Sequence, residues 1–314
     1  MKVILIEIVI VAVVWLVLRL LRGKITFFRG GYAVRKDSYM QDEKKRMLVE
    51  DTHFFRGKER ESRSVRMDGT GIVQSRIPLD KNNKALMAYS YCAPMLSMVK
   101  GLGNSIRRAL VLGGAGCTVP LYIAQNYEGA KVDVVEINAE SIRIAKEYFV
   151  KEYAGENGPI QFIQEDAKDA VKKLEPGYQF IFCDLFIGGQ PVALVYDDVF
   201  MKDLSRLAGE NGMLVVNGGS LPMVGVRVVL AAMVEAFSNA WAMLLGNEGF
   251  VLVASNRGMP AMDNLVQNAQ GVIGVYPSQL TLESLAEVAA ERERMAREGV
   301  TPPRPAEGDA YEEA

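Results

Sequence analysis

Histidine and cysteine are scarce in this chain of 314 residues, which carries one histidine, His53, and three cysteines, Cys92, Cys117 and Cys183. Thiols odd in number and far apart give no disulfide framework and fit a reducing compartment. With no CxxC pair and a single imidazole there is no zinc site, and no metal is expected. His53 stands in Asp51-Thr52-His53-Phe54 and reads as a surface residue. An excess of either charge is missing too: 36 Lys and Arg face 38 Asp and Glu, for a net charge of −2. Nothing therefore points to nucleic acid as a partner. Internal repeats are absent. What remains is a globular balance of 49% hydrophobic and 24% charged residues, enough for one large domain or two unequal ones.

The start of the chain differs from the rest. Val3 to Leu21 is apolar apart from Glu7 and Arg19, just the length a membrane span requires. Each Leu, Ile or Val contributes about −0.3 to −0.6 kcal/mol to insertion, which outweighs one carboxylate near the end of the run. A cleaved signal peptide would want a shorter apolar core and a small-x-small cleavage site. Arg22-Gly23-Lys24-Ile25-Thr26-Phe27-Phe28 follows instead, so residues 1–22 read as an uncleaved anchor. Arg19, Arg22, Lys24, Arg29, Arg35 and Lys36 come next with no acid among them. The positive-inside rule then places the remaining chain in the cytoplasm, on a single-pass protein of the cell membrane.

Residues 23–50 read as a charged juxtamembrane connector without sustained periodicity. Residues 51–100 read as a small β-hairpin and helix domain. Ser64–Gly69 and Gly71–Ser75 resemble two strands about an Asp68-Gly69 turn, and Ala85–Val99 resembles a helix. From 101 to 257 strands and helices alternate. The expected strands are Ala109–Leu112, Val132–Glu136, Ile160–Gln164, Gln179–Cys183 and Met213–Val216, with helices over Val119–Tyr127 and Ala139–Phe149. That rhythm predicts a parallel sheet covered on both faces. Ala240–Leu245 and Phe250–Ala254, about Gly246-Asn247-Glu248-Gly249, break it with an antiparallel hairpin. Residues 258–314 read as a charged helix, Leu282–Glu298, and a disordered tail rich in proline and acid.

The candidate chemistry gathers at strand ends. Gly113-Gly114-Ala115-Gly116 follows the first strand, where glycines allow a sharp turn and close backbone approach to a ligand. A tight turn without a ligand is the plainer alternative. Glu136 ends the second strand, where such folds place the acid that binds ribose hydroxyls. Either NAD or an S-adenosylmethionine (AdoMet)-type ligand suits that acid. Val119 replaces the third glycine of GxGxxG, and together with the closing hairpin this favours the AdoMet type. Asp166, before Ala167, accepts from an adenine amine or caps the following helix. Asp184, after Phe180–Cys183, lies where open α/β sheets form their ligand crevice. A carboxylate there can orient an attacking amine and accept its proton, or simply bind loop amides.

These segments taken in order resemble the spermidine synthases, the polyamine aminopropyltransferases: Ala109-Leu110-Val111-Leu112-Gly113-Gly114, Val132-Asp133-Val134-Val135-Glu136-Ile137-Asn138, Glu165-Asp166-Ala167, and Cys183-Asp184 through Pro191. The resemblance spans roughly residues 64–255 and is closest to a membrane-associated branch. It implies a class I AdoMet-methyltransferase-like Rossmann sheet with an antiparallel terminal hairpin, a small N-terminal β-domain and an N-terminal transmembrane helix. It also implies transfer of an aminopropyl group from decarboxylated AdoMet to a small-molecule amine acceptor. In that scheme Gly113, Gly114, Gly116, Glu136, Asp166 and Ala167 hold the nucleoside, Asp184 is catalytic, and Gln74 lies on the acceptor side. Two positions depart from the family. Gly116 and Ile187 stand where it usually carries aspartates. The alternatives are an AdoMet-dependent methyltransferase on the same scaffold and a non-catalytic, membrane-bound nucleoside-binding protein. A homo-oligomer is compatible with all three.

Overall fold

The computed structural model describes residues 25–28, 32–42, 47–54, 61–67, 73–80, 106–114, 117–155, 158–187, 190–219, 221, 223–244 and 250–257. The chain divides into two units, Met1–Asn83 and Lys84–Ala314. The first is an antiparallel five-stranded sheet in sequence order: β1 (Ile25–Phe28), β2 (Tyr32–Asp42), β3 (Met47–Phe54), β4 (Ser62–Met67) and β5 (Val73–Pro78). It therefore begins inside the segment read as a connector. β2 pairs along most of its length with β3, from Val34 opposite Phe54 to Asp42 opposite Met47. Arg35, Lys36 and Asp37 obscure a strand pattern in sequence, and the pairing with β3 supplies it. At its centre Arg63 donates to both carboxylate oxygens of buried Asp51, at 2.8 and 3.0 Å.

The second unit is built on a seven-stranded sheet. Its strands are β6 (Arg108–Leu112), β7 (Lys131–Glu136), β8 (Ile160–Gln164), β9 (Phe180–Cys183), β12 (Met213–Gly219), β13 (Asn239–Leu244) and β14 (Phe250–Ser255), and they lie in the order β13-β14-β12-β9-β6-β7-β8. The five strands from β12 to β8 run parallel, and β14 is antiparallel to both β12 and β13. A two-stranded ribbon, β10 (Phe186–Ile187) with β11 (Gln190–Pro191), follows β9.

Burial explains why these strands read as short apolar runs. Leu110, Leu112, Ile181, Cys183, Leu214, Val216, Leu252 and Ala254 belong to one packed cluster, with α3 (Ala167–Lys173), α4 (Asp198–Ala208) and α5 (Met223–Ala236). Their neighbours along the strands, Val111, Phe182, Val215 and Val253, are buried as well, and strand alternation turns them to the opposite face. There α1 (Thr118–Asn126) packs against β6, β7 and β8, and α2 (Ala139–Ile144) against β7 and β8. A sheet covered on both faces needs apolar side chains at every position. Beyond α2 the chain continues through a wider π-helical turn, Ala145–Val150, to Tyr153.

Among the described residues no helix is long and apolar enough to cross a membrane. The expected span 1–22, the helix Ala85–Val99, the turn residues 245–249 and the C-terminal segment from 258 lie outside those residues.

At the end of the sheet away from the strands' carboxyl termini, buried Tyr178 donates to Asp133 Oδ2 at 2.7 Å, and the Arg108 guanidinium lies 4.3 Å from its ring centre. Burial first, then the hydrogen bond to Asp133 and its charge, raises the phenol's pKa and keeps it a donor. Tyr178→Phe removes that bond without a cavity. We expect a loss of about 1–2 kcal/mol in urea unfolding with an unchanged denaturant slope.

Candidate functional site

β7 and β8 extend the sheet to one side of β6, while β9 and β12 extend it to the other. The order reverses between β6 and β9, the place where open α/β sheets leave a crevice beyond the strands' carboxyl ends. The loops leaving these two strands meet there. Asp184 N–H donates to Leu112 O at 2.8 Å, and Gly113 N–H donates to Val135 O at 3.0 Å. Gly113 has φ +83°, and a Cβ on it would stand 2.3 Å from the Asp184 carbonyl oxygen. A Cβ on Gly114 would stand 2.1 Å from Val134 Cγ1. The glycines thus seat the loop against its neighbours as well as clearing space above it.

Glu136 fastens the loop from the β7 side. Its Oε2 accepts from Gly114 N–H at 3.2 Å and its Oε1 from Asn138 N–H at 2.9 Å. Backbone donors thus take up part of the carboxylate's lone-pair capacity. Burial raises the Glu136 pKa, and backbone donors at Asn138, Gly114 and Ile137 act against that rise. Beside it Ile137 is 57% exposed. Asn138 accepts from Glu140 and Ser141 N–H and so starts α2. The loop returns through Cys117, a non-glycine residue at φ 61°, whose N–H donates to Gly114 O at 2.8 Å. Its thiol is neutral, raised first by burial and then by the Glu136 charge.

Asp166 is the N-cap of α3. Its Oδ1 accepts from Lys168 N–H at 2.8 Å, and the buried residue Ala167 is the first of the helix. Capping uses one lone pair, so the capping and adenine readings of Asp166 remain compatible. Asp184 is partly buried, and its Oδ1 accepts from Asn217 Nδ2 at 2.7 Å. The thiol of Cys183, one residue back, is pushed up to about 12 by burial and the Asp184 charge. Two residues beyond, Phe186 lies against Gly219, and Ile187 is 50% exposed.

Gly113, Gly114, Glu136 and Asp184 are therefore brought together at one edge of the sheet, with Asp166 and Ala167 at the end of the neighbouring β8. Gly116 lies outside the described residues. Gln74 lies half-buried on β5 of the first unit. Asn217 is the contributor that sequence reasoning missed; its signal is a polar residue closing the apolar run Met213–Val216 ahead of two glycines. Among the described residues no group of three or more His, Cys, Asp or Glu could hold a metal.

No protein-family model matches the chain. Among curated proteins, it is 28% identical over 131 residues to a polyamine aminopropyltransferase of Prochlorococcus marinus, covering 40% of this chain and 44% of that one. It is 23% identical over 149 residues to a polyamine aminopropyltransferase of Neisseria meningitidis, covering 48% and 55%. The resemblance is to the spermidine synthase family. The chain spans about half the length of the curated relatives it matches. Among solved structures, a probable spermidine synthase from Corynebacterium glutamicum superposes with a TM-score of 0.66 at 18% identity, covering 88% of this chain and 98% of that one. That likeness shows the fold: the methyltransferase-like Rossmann sheet of the spermidine synthases.

The loop contact can be tested by a pair of substitutions. Gly113→Ala and Gly155→Ala both place a Cβ at φ near +80°, but nothing lies within 4 Å of Gly155. Gly155→Ala should cost about 1 kcal/mol, and Gly113→Ala at least ~2 kcal/mol more, as the β6 loop is forced off Asp184. Urea unfolding of both variants measures the difference.

Proposed function

We propose that this protein is a transferase of the aminopropyltransferase type, acting on an adenosyl sulfonium and an amine. The observation that carries this reading is the convergence of Glu136 and Asp184 on opposite sides of the glycine loop, at the point where strand order reverses. Glu136 Oε1 and Oε2 accept from ribose hydroxyls of the nucleoside. Asp166 accepts from the adenine amine, and exposed Ile137 supplies an apolar edge to the base. Decarboxylated AdoMet is the donor. The acceptor nitrogen attacks the aminopropyl carbon bonded to sulfur. As the new C–N bond forms, the C–S bond breaks, its electron pair stays on sulfur, and methylthioadenosine leaves. The Asp184 carboxylate orients the amine, stabilises the charge growing on nitrogen and takes its proton.

Residues 185–196, immediately past Asp184, contain no charged side chain. A second ammonium on the acceptor would find no carboxylate there, so the acceptor we propose has one amine on an apolar body. The apolar run Val3–Leu21 and the cations after it support a membrane-anchored chain with this site on the cytoplasmic side.

The full chain should be incubated with decarboxylated AdoMet or AdoMet and a panel of mono- and diamines. Methylthioadenosine is the expected product. S-adenosylhomocysteine would instead establish methyl transfer, and neither product despite nucleoside binding would make the protein a binder. Asp184→Asn should lower kcat at least ~100-fold while the methylthioadenosine Kd stays within about threefold.

Glu136 gives a second test. Its pKa is raised, and only the ionised form accepts from both ribose hydroxyls. Nucleoside affinity should therefore fall as pH falls through that raised value, beginning above the ordinary glutamate pKa of about 4.3. In Glu136→Gln the affinity should be about tenfold weaker at neutral pH and lose this dependence, as read by calorimetry.

A further inference from the structure

Asn217 lies in β12 just where β9 ends. In the parallel register Val216 lies opposite Cys183, so the residues that follow each, Asn217 and Asp184, stand side by side, β12 continuing to Gly219. The pairing of β12 with β14 shifts between Asn217 and Gly219, so Gly218 is an inserted residue. Such a bulge re-aims the side chain next to it. The Asn217 amide is then held at both ends. Its Oδ1 accepts from Gly219 N–H at 2.9 Å, and its Nδ2 donates to Asp184 Oδ1 at 2.7 Å. A backbone N–H can only donate, so the atom facing Gly219 must be the oxygen. The NH2 group is thereby committed to Asp184. Gly219 sits at φ +50°, and a Cβ there would stand 3.1 Å from the Phe186 ring. The turn that orients Asn217 thus needs glycine on both counts.

We infer that Asn217 is a positioning residue: it fixes the rotamer of the Asp184 carboxylate and holds it ionised toward the acceptor. This rests on the role proposed above for Asp184. A donor aimed at a carboxylate stabilises its charged form. The titratable neighbour along β9 is the Cys183 thiol, neutral with its pKa near 12. From β6 the chain presents Leu112 and Gly113, and from β12 Val216 and Asn217, none of which titrates.

The test is a carboxyl-carbon NMR titration of the full chain labelled at aspartate, with Asp184→Asn identifying the Asp184 resonance. In Asn217→Ala the Asp184 midpoint should move up by about one to two pH units. Methylthioadenosine affinity should change by no more than about threefold. The acid limb of any transfer activity should move up with the midpoint, and kcat should fall while the KM for the nucleoside donor holds. Asn217→Asp keeps the acceptor for Gly219 N–H and the size of the side chain, so it serves where Asn217→Ala does not fold. There the two facing carboxylates should titrate as a coupled pair, with one midpoint well above the Asp184 value of the unaltered chain. An Asp184 midpoint unchanged in these variants would overturn the inference. The titration needs no turnover, so the two readings fail separately. A shifted midpoint in a protein that transfers nothing supports the Asn217 link and overturns the transferase reading; turnover with an unshifted midpoint does the reverse.

Discussion

The loop leaving β6 passes so close to the end of β9 that no side chain fits between them. A Cβ at Gly113 would lie 2.3 Å from the Asp184 carbonyl oxygen, and the Asp184 N–H closes the same contact by donating to Leu112 O. The rest of the site follows from that approach. With the two strand ends locked together, Asp184 cannot drift from the glycine loop. The loop's second glycine meets Glu136 on the far side, so both carboxylates belong to one rigid edge of the sheet. Carboxylates held this way keep a fixed direction without reorganisation.

Polarity is rationed at this edge. Cys117 and Cys183 are buried and neutral, each raised in pKa by burial and by the carboxylate next to it. The charges that remain are assigned one by one. Glu136 is spread over two backbone donors, Asp166 caps a helix, and Asp184 faces the Asn217 amide. A carboxylate near an apolar sheet persists in ionised form only where such donors replace water. The same donors that stabilise each charge also fix its direction, so structural and chemical roles coincide in these residues. The ribbon β10–β11 beyond Asp184 is free of charged residues, and Ile187 on it is exposed.

The second unit was readable because its strands are buried on both faces. Val111 and Leu112 must both be apolar when helices cover the sheet above and below, so β6, β9 and β12 show as apolar runs followed by Gly113, Asp184 and Asn217, and β7, interrupted only by Asp133, ends in Glu136. Gly113, Asp184 and Glu136 are residue types with recognised roles at strand ends. Asn217 is not, and its importance comes from a bulge that no local pattern announces. The first unit was harder to read. β2 mixes Arg35, Lys36 and Asp37 with apolar residues, and its strand character comes from pairing with β3.

Local chemistry in the chain was enough to determine the alternation of strands and helices, the turn at Gly113-Gly114 and the acids at the strand ends, because each depends on a few consecutive residues. The choice of neighbours for β6 could not be read there, since strand order is a long-range contact with no local signature. That order puts β9 beside β6 and β12 beside β9, and so brings Asp184 against Gly113 and under the Asn217 amide. Residues about seventy positions from the glycine loop in one case, and more than a hundred in the other, are brought together only when the sheet assembles.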